Sequence, residues 1–152
     1  MTWSERISEI LASGLYAGKI PFAPGTFGTL AGLVPVYFLS LVSPLVSLVI
    51  LVLAVPVSIA VAHRAEKTFG SKDPGWIVID EVVGIMAALW GLSFAPVPVA
   101  AGFLVFRLLD IAKPFPIKYL DQKLPGGAGI VADDLAAGIM TNIILRLAAV
   151  LV

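Results

Sequence analysis

Acidic residues stand in adjacent pairs at two places where their neighbours are apolar. Asp80-Glu81 lies in IVIDEVVGIM, and Asp133-Asp134 lies in GGAGIVADDLAAG. A further acid, Asp110, lies in FRLLDIAKPFPI, with Arg107 three residues before it and Lys113 three residues after. On a helix, that i, i+3, i+6 spacing holds the three side chains close to one face. Arg suits bidentate contact with phosphate oxygens, and Lys acts more as a point charge, while Asp110 between them can hold a cation. Several carboxylates with few competing ligands make a hard oxygen site. Such a site suits Mg2+, which keeps waters and is completed by a substrate phosphate. Carboxylates, a metal, Arg and Lys together point to phosphoryl transfer or hydrolysis.

Other phosphoryl chemistries are narrowed by absence. The chain has no cysteine, which removes a thiol phosphatase, and one histidine, His63, which argues against a two-histidine mechanism. Zinc would prefer histidine or cysteine ligands. There is no Asp-x-Asp pair and no GxxxxGK[ST] loop. Metal-activated water is the favoured nucleophile, with attack by a carboxylate second. Each group also has a plainer reading. Asp80-Glu81 could simply meet a helix macrodipole, and Arg107, Asp110 and Lys113 could form an ion-pair ladder. Asp133-Asp134, following the glycines at 126–129, could cap the last helix. Thr26, in PGTFGT (24–29), reads as the N-cap of the first long helix, whose free N–H groups could bind an anion. His63 and Arg146 read as interfacial, Asp73 as a turn cap or metal ligand, and Lys118, Asp121 and Lys123 as a solvated strip.

The elements that must carry these residues are strongly apolar. Hydrophobic residues make up 59% of the 152-residue chain and charged residues 13%, with a mean hydropathy of +1.02. Soluble domains carry about 25% charged residues. Net charge is zero, so the basic excess of a nucleic-acid binder is missing. No Asp, Glu, Lys or Arg occurs between Ile20 and Ala62, a run too long for one span of about 20 residues. Ser43-Pro44 divides it, predicting helices near 27–41 and 45–62. A second uncharged run, 82–106, is broken at 91–98, and a third covers 135–152 with Arg146 its one charge. The expected fold is all-α: a polytopic membrane helix bundle with about five embedded segments, preceded by a short amphipathic helix near 3–17, in one domain over 1–152.

Threading the segments alternately through a bilayer puts Lys19, Arg64, Lys67, Lys72, Arg107, Lys113, Lys118 and Lys123 on one side. Basic short loops mark the cytoplasmic face. The acids fall on the same side, so chain-distant carboxylates converge near the depth of a lipid phosphate. Intramembrane acids also serve ion pathways, so a small cation transporter or channel subunit is the alternative. Its weakness is an apolar midplane and outer half.

Four motifs, APGTFGT (23–29), DPGWIVIDEVVG (73–84), FRLLDIAKPFPI (106–117) and GGAGIVADDLAAG (126–138), resemble the signatures of phosphatidylglycerophosphatase A, in order and with sensible spacing from about Ser13 to Asn142. The resemblance implies an Mg2+-dependent phosphatase of the bacterial inner membrane, active on phosphatidylglycerol phosphate at the cytoplasmic face. It implies that Asp80, Glu81, Asp110, Asp133 and Asp134 are metal-binding or catalytic. Arg107 and Lys113 would contact phosphate, with Thr26 a weaker substrate contact. Asp80, Glu81, Asp134 and Lys113 are the residues expected to act in catalysis. Asp121 is expected to be dispensable.

Overall fold

The computed structural model describes residues 2–70 and 74–151, and these form helices with no strand among them. α1 is Trp3–Ala12, followed by a 3-10 turn at Ala17–Lys19. α2 is Pro24–Ser40, α3 Pro44–Phe69, α4 Ile79–Leu89, α5 Pro96–Ala112, α6 Ile117–Lys123 and α7 Gly126–Leu151. The all-α expectation therefore holds. α3 and α7 are long and apolar enough to cross a membrane.

Boundaries follow local chemistry. α1 has a capping box: the Thr2 hydroxyl accepts from the Glu5 N–H, and the Glu5 carboxylate accepts from the Thr2 N–H. Gly14, Leu15 and Tyr16 then adopt positive φ, so the helix stops at Ala12 instead of running to 17 as expected. Ser43 caps α3 and Pro44 occupies its first turn, where a missing N–H costs nothing. α3 runs on past Ala62 through His63, Arg64 and Lys67 until Gly70 ends it in the left-handed conformation. The segment over 117–123 is a helix that the hydropathy pattern does not reveal, because its seven residues are mostly polar.

α4 is the centre of the bundle, in contact with α2, α3, α5 and α7. Val83 to Leu89 are all buried. At about 1.5 Å per residue its eleven residues reach roughly 16 Å, about half of a hydrocarbon core. α4 and α7 meet backbone to backbone: a Cβ on Gly138 would lie 2.2 Å from the Gly84 carbonyl oxygen. Phe106 of α5 fills the space beside Gly84, where a Cβ would meet its ring at 2.5 Å. Val36, Leu51, Ile85, Leu89, Phe106 and Ala137 belong to the resulting core.

The last helix begins earlier than expected. The glycines at 126–129 form its first turn rather than a loop, so Asp133 and Asp134 sit two turns inside α7 and are not its caps. The physical reason is space. A Cβ at Gly127 would lie 2.2 Å from the Ile59 carbonyl, and one at Gly129 2.2 Å from the Leu124 carbonyl. The glycines let α7 press against α3 and the end of α6.

Candidate active site

Asp80 and Glu81 occupy the first turn of α4. The residue capping that turn, Val78, is fully buried and donates its N–H to the Ala12 carbonyl at 2.8 Å. A helix N-terminus favours negative charge, so this end can carry two acids. α5 runs back to the same level, bringing Arg107 and Asp110 in its last turns. Lys113 is its C-cap, in a left-handed backbone (φ 44°) that turns the chain out of the helix. α7 supplies Asp133 and Asp134.

The charges sort into two kinds of contact. Arg107 Nη1 lies 2.5 Å from Asp110 Oδ2 and 3.8 Å from Glu81 Oε1. Lys113 Nζ lies 2.6 Å from Asp133 Oδ2 and 3.2 Å from Asp121 Oδ1. Asp110 and Asp133 thus each hold a cationic side chain. Burial disfavours the Lys113 charge, but Asp133 and Asp121 outweigh it and raise the ammonium above the ordinary lysine range.

The remaining acids face one another. One oxygen from each of Asp80, Glu81 and Asp134 lies within 4.8 Å of the others. Asp134, 3% exposed, also faces Asp110 and Asp133. Although adjacent helical residues diverge by about 100°, Asp80 and Glu81 both reach this cluster. Glu81 Oε2 and Asp134 Oδ2 are buried with no hydrogen-bond partner among the described residues. A buried polar atom left so costs about 1–3 kcal/mol, more when charged. A divalent cation bound by oxygens would satisfy both, so the donor set fits Mg2+. Arg107 Nε is likewise buried and unbonded, which suits a phosphate oxygen.

α2 closes the site from a fourth direction. A Cβ on Gly25 would lie 2.5 Å from Glu81 Oε1 and 2.9 Å from Arg107 Nη2. Gly25 is therefore a site residue that the sequence reading passed over in favour of its neighbour. Thr26 is not the N-cap of α2. The helix starts at Pro24 with Ala23 as cap, and Thr26 donates its backbone N–H to the Ala23 carbonyl at 3.0 Å. Thr26 still stands in the turn that packs on the site.

Asp121 is exposed, as its reading within a polar strip has it, yet it pairs with Lys113. Spacing alone could not have found this, because it depends on where α6 folds back. His63 packs against Gly126 and Gly127, away from the three-carboxylate group. Arg146 donates to Asn142 Oδ1 (2.7 Å) and to the Trp90 carbonyl (2.9 Å), fastening α7 to the far end of α4. Lys72 and Asp73 lie outside the described residues.

The family described as phosphatidylglycerophosphatase A matches residues 10–149. The chain belongs to that family. All four motifs fall within the matched span. Phosphatidylglycerophosphatase A of Escherichia coli K12 is 40% identical over 140 residues, covering 90% of this chain and 80% of its own. Its Haemophilus influenzae namesake is 39% identical over 141 residues, covering 90% and 85%. A protein of Bacteroides thetaiotaomicron with the provisional name phosphatidylinositol-3-phosphatase is 31% identical over 152 residues, covering 91% of both chains. No solved structure matches.

Proposed function

We propose that this chain hydrolyses phosphatidylglycerol phosphate to phosphatidylglycerol and inorganic phosphate at the cytoplasmic face of the bacterial inner membrane. The observation that carries the reading is the meeting of Asp80, Glu81 and Asp134 beside Arg107, with Lys113 on the neighbouring Asp133, in a member of this family. The relatives named phosphatidylglycerophosphatase A supply the substrate.

In this reading α2, α3, α4, α5 and α7 are five embedded segments, with the N-terminus inside and the C-terminus outside. Their charged ends then share one level, within reach of a lipid phosphate. Asp80, Glu81 and Asp134 would hold Mg2+, with Asp110 and Asp133 beside them. The ion, when bound, supplies Lewis-acid stabilisation of the phosphoryl oxygens and lowers the pKa of water. Arg107 and Lys113 hold the phosphate and offset its charge as the transition state spreads it over the oxygens. Water forms the new P–O bond, the bond to the glycerol oxygen breaks, and that oxygen takes up a proton. The proton lost by water passes to a carboxylate of the cluster, which returns it to the leaving oxygen.

The test is phosphate release from phosphatidylglycerol phosphate by purified protein in detergent, with Mg2+ and then with excess chelator. Release that stops with chelator is expected. Folded protein that releases none in several detergents overturns the assignment and favours ion transport.

A further inference from the structure

α1 presents two unlike faces. Ser8, Glu9 and Ala12 are buried; Ala12 packs with Ala62 and Ala65 of α3, and Glu9 pairs with Lys19 of the 3-10 turn. Arg64 fastens the same side by donating to Ser4 Oγ at 2.7 Å. The opposite face carries Trp3, Ile7 and Leu11, four residues apart, at 82%, 55% and 42% exposure. Leu15, Tyr16 and Phe22 prolong this apolar exposure. A groove of about 660 Å3, lined by Leu11, Leu15 and Ile20 on one side and Ala31, Val34 and Pro35 of α2 on the other, joins it to the exposed flank of α2. Val34 and Phe38 continue that flank. The apolar surface is therefore continuous from α1 to a helix read as embedded. Exposed Arg6 and half-buried Glu5 border it.

We propose that α1 is an interfacial helix lying on the cytoplasmic leaflet, with Trp3, Ile7 and Leu11 in the acyl boundary. This rests on the membrane-embedded reading above but not on the phosphatase assignment. It gives the site a fixed depth. Ala12 at the end of α1 accepts the Val78 N–H at the start of α4. Gly18 leaves no room for a Cβ against the Trp76 carbonyl, at 2.2 Å. The plane on which α1 rests is thus tied through two backbone contacts to the turn that holds Asp80 and Glu81.

The chain has no cysteine, so single-site spin labels can be placed directly. Ile7→Cys and Leu11→Cys, labelled in full-length protein in vesicles of phosphatidylethanolamine and phosphatidylglycerol, are compared with Val49→Cys on α3 and Lys118→Cys on α6. Expected is a ratio of oxygen to nickel-chelate accessibility at 7 and 11 several-fold above that at 118 and close to that at 49. Water-like ratios at 7 and 11 with a lipid-like ratio at 49 overturn the proposal alone. Water-like ratios at 49 as well overturn the embedded reading. Shielding at 7 and 11 that appears only at high protein-to-lipid ratio assigns the face to a second copy and also overturns it.

Discussion

Asp80→Asn and Asp134→Asn each remove one charge from the three-carboxylate group while keeping its shape. Both variants should insert and fold, and both should lose about 10²–10⁴-fold in phosphate release; normal turnover in both would dismiss the site. Asp121 is a different case. Read as part of a polar strip it should be neutral, but its carboxylate is one of two that hold Lys113. Asp121→Asn should therefore raise KM a few-fold with kcat little changed, well short of Lys113→Met; a KM equal to the parent's would return it to the strip. The Lys113 pairing also has a pH signature. Its ammonium is raised above the ordinary range, so its contribution to stability is complete below the unfolded lysine value and fades only as pH climbs past the folded one. The stability lost in Lys113→Met, measured by thermal unfolding in detergent, should thus be constant from about pH 6 to pH 9.

Glycine positions separate the elements from the chemistry they carry. Gly138→Ala sets a methyl against the Gly84 carbonyl, a backbone atom that cannot swing away. Overpacking of this kind costs about 1–3 kcal/mol, so the melting temperature should fall along with activity. A methyl at Gly25 meets only the ends of the Glu81 and Arg107 side chains. Gly25→Ala should accordingly cut phosphate release while leaving the melting temperature near the parent's. If both variants melt alike, α2 is a packing element and not a wall of the site. These glycines also mark where sequence reading stopped. The run at 126–129 has the composition of a loop, and nothing local distinguishes a glycine that bends from one that admits a neighbouring backbone. In the fold the run opens α7, with Gly127 against the Ile59 carbonyl of α3 and Gly129 against the Leu124 carbonyl.

At the scale of the molecule, the acids and basic residues of the site lie at one end of a bundle built around a helix too short to cross a bilayer, with Arg146 at the other end. Binding of a cation there should stabilise the whole fold, since a ligand that prefers the native state raises its melting temperature by mass action. Mg2+ should raise the melting temperature of the parent protein and leave Asp80→Asn and Asp134→Asn unmoved; a rise in all three would place the ion elsewhere. The sequence by itself determined the helical class and singled out the acids, Arg107 and Lys113 that the structure brings together. Hydropathy and charge are properties of residues and survive without coordinates, and the motifs carried the family. Tertiary structure decided what depends on through-space distance. It grouped Asp80, Glu81 and Asp134, gave Asp110 to Arg107 and Asp133 to Lys113, brought in Gly25 and Asp121, and moved the start of α7 to Gly126. Each of these rests on two helices meeting at a particular turn, and the meeting point is set by the volumes on both.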